Sequence, residues 1–70
     1  MKAINIAVDI SKLNKIEDYV RRINSNEELA ACPAGKGEIC VVAVGERGIA
    51  YAEALATEVF DSCIFVKRIK

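Results

Sequence analysis

The chain contains no histidine and no tryptophan, one proline, four glycines and three cysteines. Without histidine there is no Ser–His or Cys–His nucleophile pair, no imidazole acid–base chemistry and no His-containing metal site. An excess of one charge is equally missing. Ten Lys and Arg stand against ten Asp and Glu, for a net charge of zero, so the chain carries no electrostatic footprint for nucleic acid. The longest apolar run, Ile39 to Val44, is far too short for a membrane span. The first residues lead straight into an alternating pattern, with no basic and then apolar signal region. The expectation is a cytoplasmic protein with neither nucleic acid nor membrane as partner. An odd cysteine count without a CxxC pair argues against a disulfide framework, thioredoxin-like redox chemistry and a zinc clip built by one chain.

What remains is a small apolar unit. Seventy residues form one domain, 1–70, and 53% of them are hydrophobic. With 29% charged residues and that apolar fraction the chain folds rather than staying disordered. A domain this short buries only about 60% of its unfolded surface alone. Neutral, apolar and very small domains tend to associate, which makes self-association the starting expectation.

Residues 3–10 alternate, with Ile4, Ile6, Val8 and Ile10 on one side and Asn5, Ala7 and Asp9 on the other, which predicts a half-buried strand. Ser11 is placed to cap the next element. Leu13, Ile16, Val20 and Ile23 recur at helical spacing, with charged residues filling the other positions, which predicts an amphipathic helix lying on a sheet. Asn24–Ser25–Asn26 ends it. Residues 28–32 read as a short second strand and 33–37, Pro-Ala-Gly-Lys-Gly, as a loop. The β-branched run 39–44 reads as a central strand. Gly45–Glu46–Arg47–Gly48 reads as a turn, with Glu46 favourably placed against the dipole of the adjoining helix. Residues 49–60 carry alanine at 50, 52, 54 and 56 and predict a helix with a small-residue face. Residues 63–69 read as a last strand, with Lys67, Arg68 and Lys70 at its end. The predicted class is α/β, an α+β sandwich ordered strand–helix–strand–strand–helix–strand, with an antiparallel or mixed sheet and helices on one face.

Few constellations suggest chemistry. Gly35–Lys36–Gly37 precedes a strand and lacks the Ser or Thr of a phosphate loop, so a tight hairpin is the better reading. Gly45 to Gly48 lacks the third glycine and the later acidic residue of a dinucleotide site. Glu17 and Arg21, four apart, form an ordinary solvated pair, and Glu53 and Glu58 face solvent by the same logic. Cys40 and Cys63 sit inside strand patterns, where cysteine acts as a small hydrophobe. Cys32 differs: it stands before Pro33 at the start of the glycine-rich loop. One thiolate cannot hold a metal centre, but a rotation axis near the loop would bring several copies of Cys32 together.

Residues 34–54, AGKGEICVVAVGERGIAYAEA, carry a Gly-x-Gly loop, a β-branched strand, a Gly-acidic-x-Gly turn and an alanine-rich helix. In this order and spacing they resemble the centre of bacterial microcompartment shell proteins. The rest of the chain agrees in outline. That resemblance implies a flat cyclic homohexamer that tiles, with other shell proteins, into the wall of a metabolic compartment. Pro33, Ala34, Gly35, Lys36 and Gly37 would border a central pore, and close approach of chains around the axis is a physical reason for the glycines. The chain is shorter than typical members. Its Cys32–Pro33 pair is similar to a divergent branch associated with glycyl-radical microcompartments, whose members can bind an iron–sulfur cluster at the pore. By that likeness Cys32 would be a metal ligand for a [4Fe-4S] cluster, and Arg21 and Arg22 are candidates for the hexamer edge. Such a cluster takes about four thiolates, whereas a six-fold ring offers six copies of Cys32.

The leading expectation is therefore a structural shell protein, not an enzyme, passing small metabolites, electrons or a cluster through its pore. The alternative is a small ferredoxin-like regulatory or ligand-sensing module. It would act as a dimer and hold an anionic effector at Gly45–Gly48 or at 33–37.

Overall fold

The computed structural model describes residues 1–69; Lys70, expected at the basic chain end, lies outside them. The elements run β1 (Lys2–Val8), a 3-10 helix (Ile10–Lys15), α1 (Ile16–Asn24), β2 (Leu29–Gly35), β3 (Glu38–Ala43), α2 (Glu46–Val59) and β4 (Ile64–Arg68). The sheet order is β2-β3-β1-β4 and every neighbouring pair is antiparallel. β3 inserts between β1 and β2, so the two strands flanking α1 run parallel without touching. This is the split β-α-β arrangement of ferredoxin-like folds, and it gives the expected α+β sandwich with an antiparallel sheet.

Alternation decides which face is covered. Ile4, Ile6 and Val8 from β1, Ile39, Val41 and Ala43 from β3, and Leu29 and Ala31 from β2 all point to one side and are buried. Both helices close that side. α1 contributes Tyr19 and Ile23, and α2 contributes Ile49, Ala52, Leu55 and Ala56, with Phe60 just beyond its end. The rings of Tyr19 and Phe60 meet at 5.3 Å between centroids, tilted by 49°. The Tyr19 hydroxyl donates to the Ala52 carbonyl oxygen at 2.8 Å, which joins the two helices through the core.

Several element boundaries differ from expectation. β1 stops at Val8 rather than Ile10, because Asp9 starts the 3-10 helix and leaves Ile10 68% exposed. The capping group is Asp9, not Ser11: its Oδ1 accepts from the Ser11 amide at 2.9 Å and the Ser11 hydroxyl at 2.8 Å. α2 begins at Glu46, so the expected turn supplies its first residues.

The largest difference lies at β2. The expected 33–37 loop is mostly strand, and only Lys36 and Gly37 turn the chain. Pro33 is tolerated because it lies opposite Ile39 on an edge strand, where no ladder hydrogen bond requires its missing amide. Ala34 is the extra residue of a bulge between Pro33 and Gly35. The hairpin tip is tied down, since the Val8 amide donates to the Gly37 carbonyl at 2.7 Å. Gly37 has φ +75°, a left-handed backbone that favours glycine, and a Cβ there would press on the Val8 oxygen at 3.2 Å.

Candidate functional site: the bare face of the sheet

Among the described residues, no helix covers the other side of the sheet. Most antiparallel sheets turn polar side chains to such a face; this one does not. Alternation places Ala3, Ala7, Ala30, Val42, Cys32, Cys40 and Phe65 there, with only Asn5, Glu38 and Lys67 as polar members. Phe65 is 69% exposed, and Met1, Val44 and Ile69 are exposed near one end of the same surface. A shallow depression there is lined by Met1, Lys2, Ala3, Val42 and Ile69. Contiguous apolar surface of this kind marks association sites.

One rung across this face holds its chemistry. In register, Cys32 stands opposite Cys40, Cys40 opposite Asn5, and Asn5 opposite Lys67. Pro33 opposite Ile39 cannot be a hydrogen-bonded pair. Since the two kinds of pair alternate, Cys32–Cys40 is the hydrogen-bonded kind, with Cα atoms about 5.5 Å apart. The Val44 amide donating to the Glu28 carbonyl at 3.2 Å, at the same parity, agrees. Both cysteines are free thiols; Cys32 is exposed and Cys40 half-buried. Asn5 donates through Nδ2 to Glu38 Oε1 at 3.2 Å, while its Oδ1 is buried with no partner.

The structure keeps Cys32 in the second strand, which it extends through Gly35, and turns Cys40, read as a small hydrophobe inside a strand, onto the bare face. Cys63 stays half-buried, just before β4 at the opposite edge of the sheet. Pro33, Ala34, Gly35 and Lys36 are exposed along the hairpin and Gly37 is half-buried. Arg21 and Arg22 are exposed on α1, each facing a carboxylate one turn back: Arg21 with Glu17 at 3.5 Å and Arg22 with Asp18 at 3.2 Å.

The turn 45–48 is a poor anion site. The depression at the start of α2 is lined by Glu28 and Glu46 as well as Arg47 and the backbone of Gly45 and Gly48. Arg68 Nη1 donates to both Glu46 oxygens, at 2.8 and 3.0 Å, and Lys2 lies 3.8 Å away. That hydrogen bond holds the Glu46 carboxyl below its ordinary range and Arg68 above its own. Gly48 has a packing role: a Cβ there would stand 2.7 Å from Ala43 Cβ and from Leu29 Cδ2.

An iron–sulfur cluster does not fit the donor set of one chain. The bare face offers two thiols, and no group of three or more metal-ligating side chains occurs among the described residues, whereas the cluster takes four thiolates. Among the described residues, too, no helix is long and apolar enough to cross a membrane. The chain matches no family model, no curated protein and no solved structure.

Proposed function

We propose that this protein is a structural subunit that assembles into a cyclic homohexamer as part of a bacterial microcompartment shell, with the β2–β3 hairpin bordering a central pore. One observation carries the reading: the motif run 34–54 occupies one continuous path through hairpin, β3, turn and α2. Its two tight positions, Gly37 and Gly48, are filled by glycines of the motif. Pro33, Ala34, Gly35 and Lys36 would line the opening, with Gly37 anchoring the tip to β1. A four-iron cluster at that pore would need Cys32 from several copies, and the chain's own chemistry is limited to offering the thiol at the strand edge. Arg21 and Arg22 would face neighbouring hexamers.

The bare sheet face favours a second reading, a ferredoxin-like module that pairs with a second copy through its sheet. The face is apolar and carries one acid, Glu38, and one base, Lys67, so two copies meeting there bring no excess of like charge. Glu28 and Glu46 weigh against an anionic effector at 45–48.

Native mass spectrometry of protein purified without oxygen separates the two. A hexamer is expected for the shell subunit. A dimer replaces it with the sheet-paired module, and a monomer at micromolar concentration overturns both. Iron and acid-labile sulfide on the hexamer, lost in Cys32→Ser, would place the cluster at the pore.

A further inference from the structure

We propose that Cys32 and Cys40 form a two-thiolate clamp for a soft monovalent cation, copper(I) or silver(I) being the chemical type. The clamp belongs to one chain and does not rest on the shell reading. Four observations carry it. The two residues are direct partners across β2 and β3. Their side chains leave the same, helix-free face of the sheet. Both are reduced, with Cys32 open to solvent. No third ligating side chain joins them among the described residues.

Geometry separates this function from a disulfide. In a hydrogen-bonded rung the Cβ atoms stand about 5.5 Å apart, while a disulfide draws them to about 3.5–4.5 Å. The Cα spacing of about 5.5 Å lies within the disulfide range, but a direct bond would draw the two Cβ atoms together by about 1 Å, at the bulged and Pro-containing end of an edge strand. Such a bond is strained and readily reduced. An atom inserted between the sulfurs relieves that demand. Two metal–sulfur bonds of about 2.3 Å, as in zinc thiolates, span up to about 4.6 Å between sulfurs.

Coordination number then selects the ion. Zinc and iron–sulfur clusters call for four ligands, and one chain offers two. Soft thiolates favour copper(I) among the first-row metals. Binding replaces two S–H protons, so M⁺ and two thiols give an M(SR)₂⁻ centre and two released protons, with no change of oxidation state. Lys67 lies on the same rung, about 10 Å from Cys40 across two strand spacings. The Glu38 carboxylate is engaged by Asn5. The apolar remainder of the face keeps competing oxygen donors few.

The test is a titration of the full chain, reduced and oxygen-free, with copper(I) against a chromogenic copper(I) chelator. Silver(I) stoichiometry is read in parallel by native mass spectrometry. The expected result is one ion per chain. Cys32→Ser and Cys40→Ser should each weaken binding at least 100-fold, and Cys63→Ser should leave it unchanged. In the unmutated chain, a single equivalent of silver(I) should protect Cys32 and Cys40 from alkylation in preference to Cys63, a readout that needs no variant to fold. One ion shared by two or more chains, full affinity in Cys40→Ser, or equal protection of Cys63 would overturn the clamp. A hexamer without this binding removes the clamp alone. A dimer or monomer that binds one ion per chain removes the shell reading alone.

Discussion

Gly48→Ala tests how tightly α2 is seated on the sheet. The added Cβ would lie 2.7 Å from Ala43 Cβ and 2.7 Å from Leu29 Cδ2, where ordinary contacts are 3.4–4 Å. Leu29 can swing its methyl aside. Ala43 cannot move, because its Cβ is fixed to an interior strand paired on both sides. The helix must therefore back away by about 1 Å at its first turn. Overpacking of this size costs about 1–3 kcal/mol. The helix-propensity gain of alanine over glycine returns at most about 1 kcal/mol, and less so near an N-terminus. The net loss is about 1–2 kcal/mol, or roughly 5–15 °C in thermal midpoint for a domain of this size. Thermal and urea unfolding followed by circular dichroism would measure it. Ala43→Gly removes the fixed atom, so the double variant should be more stable than the sum of the single ones by about 1 kcal/mol. Gly45→Ser is the control. It meets open space at an extended N-cap position and should gain a few tenths of a kcal/mol. A Gly48→Ala protein that melts at or above the unsubstituted midpoint would refute the close-packing argument.

The remaining predictions concern pH, turns, assembly and metal binding. Burial raises the Tyr19 phenol well above its ordinary value near 10, with Tyr51 and Glu53 adding smaller contributions. Above pH 10 the unfolded chain releases that proton while the folded one keeps it, so stability should fall by about 1.4 kcal/mol per pH unit there. Tyr19→Phe should abolish that slope, and its persistence would rule out Tyr19 as the source. On the acid side, hydrogen bonding holds Asp9 and Asp61 below their ordinary range, through Ser11 and Lys12 respectively. Their contribution is therefore complete above about pH 4 and lost as pH falls through the depressed values. Asp61 and Ser62 both sit at positive φ, 54° and 64°. Ser62→Gly should raise stability by about 0.5–1 kcal/mol in denaturant melts; an unchanged or lower midpoint would show that the turn is unstrained. The hexamer expected by native mass and the one-per-chain copper(I) stoichiometry complete the set.

How far the sequence can be read depends on how local each signal is. The parity of β1, the β-branched run of β3 and the alanine-rich α2 are legible because each depends on its own residues. Tyr19 escapes the pattern because aliphatic spacing alone defines the face of α1, while the tyrosine is buried by finding a carbonyl partner 33 positions away at Ala52. β2 is cut short in the sequence because proline and glycine read as loop, and only the edge position of the strand makes Pro33 harmless. That misreading hides the Cys32–Cys40 pairing. With residues 33–37 taken as an open loop no register exists, whereas a turn confined to Lys36 and Gly37 aligns the two thiols. The bare face is hidden for a related reason: alternation tells the two sides of a strand apart but not which side the helices choose. Whether the chain forms a hexamer depends on surfaces that meet only in assembly.

The position of Pro33 also bears on how this chain avoids its own aggregation. Opposite β3 it occupies a rung whose amides point away from the sheet, toward the open edge of β2. The missing N–H therefore interrupts the row of donors that an incoming strand would need, and the neighbouring bulge at Ala34 bends the edge out of line. A newly made copy, rich in β-branched segments, finds no continuous template there on which to add as a fifth strand. At the β2 edge, contacts between copies are thereby directed away from an open-ended backbone ladder.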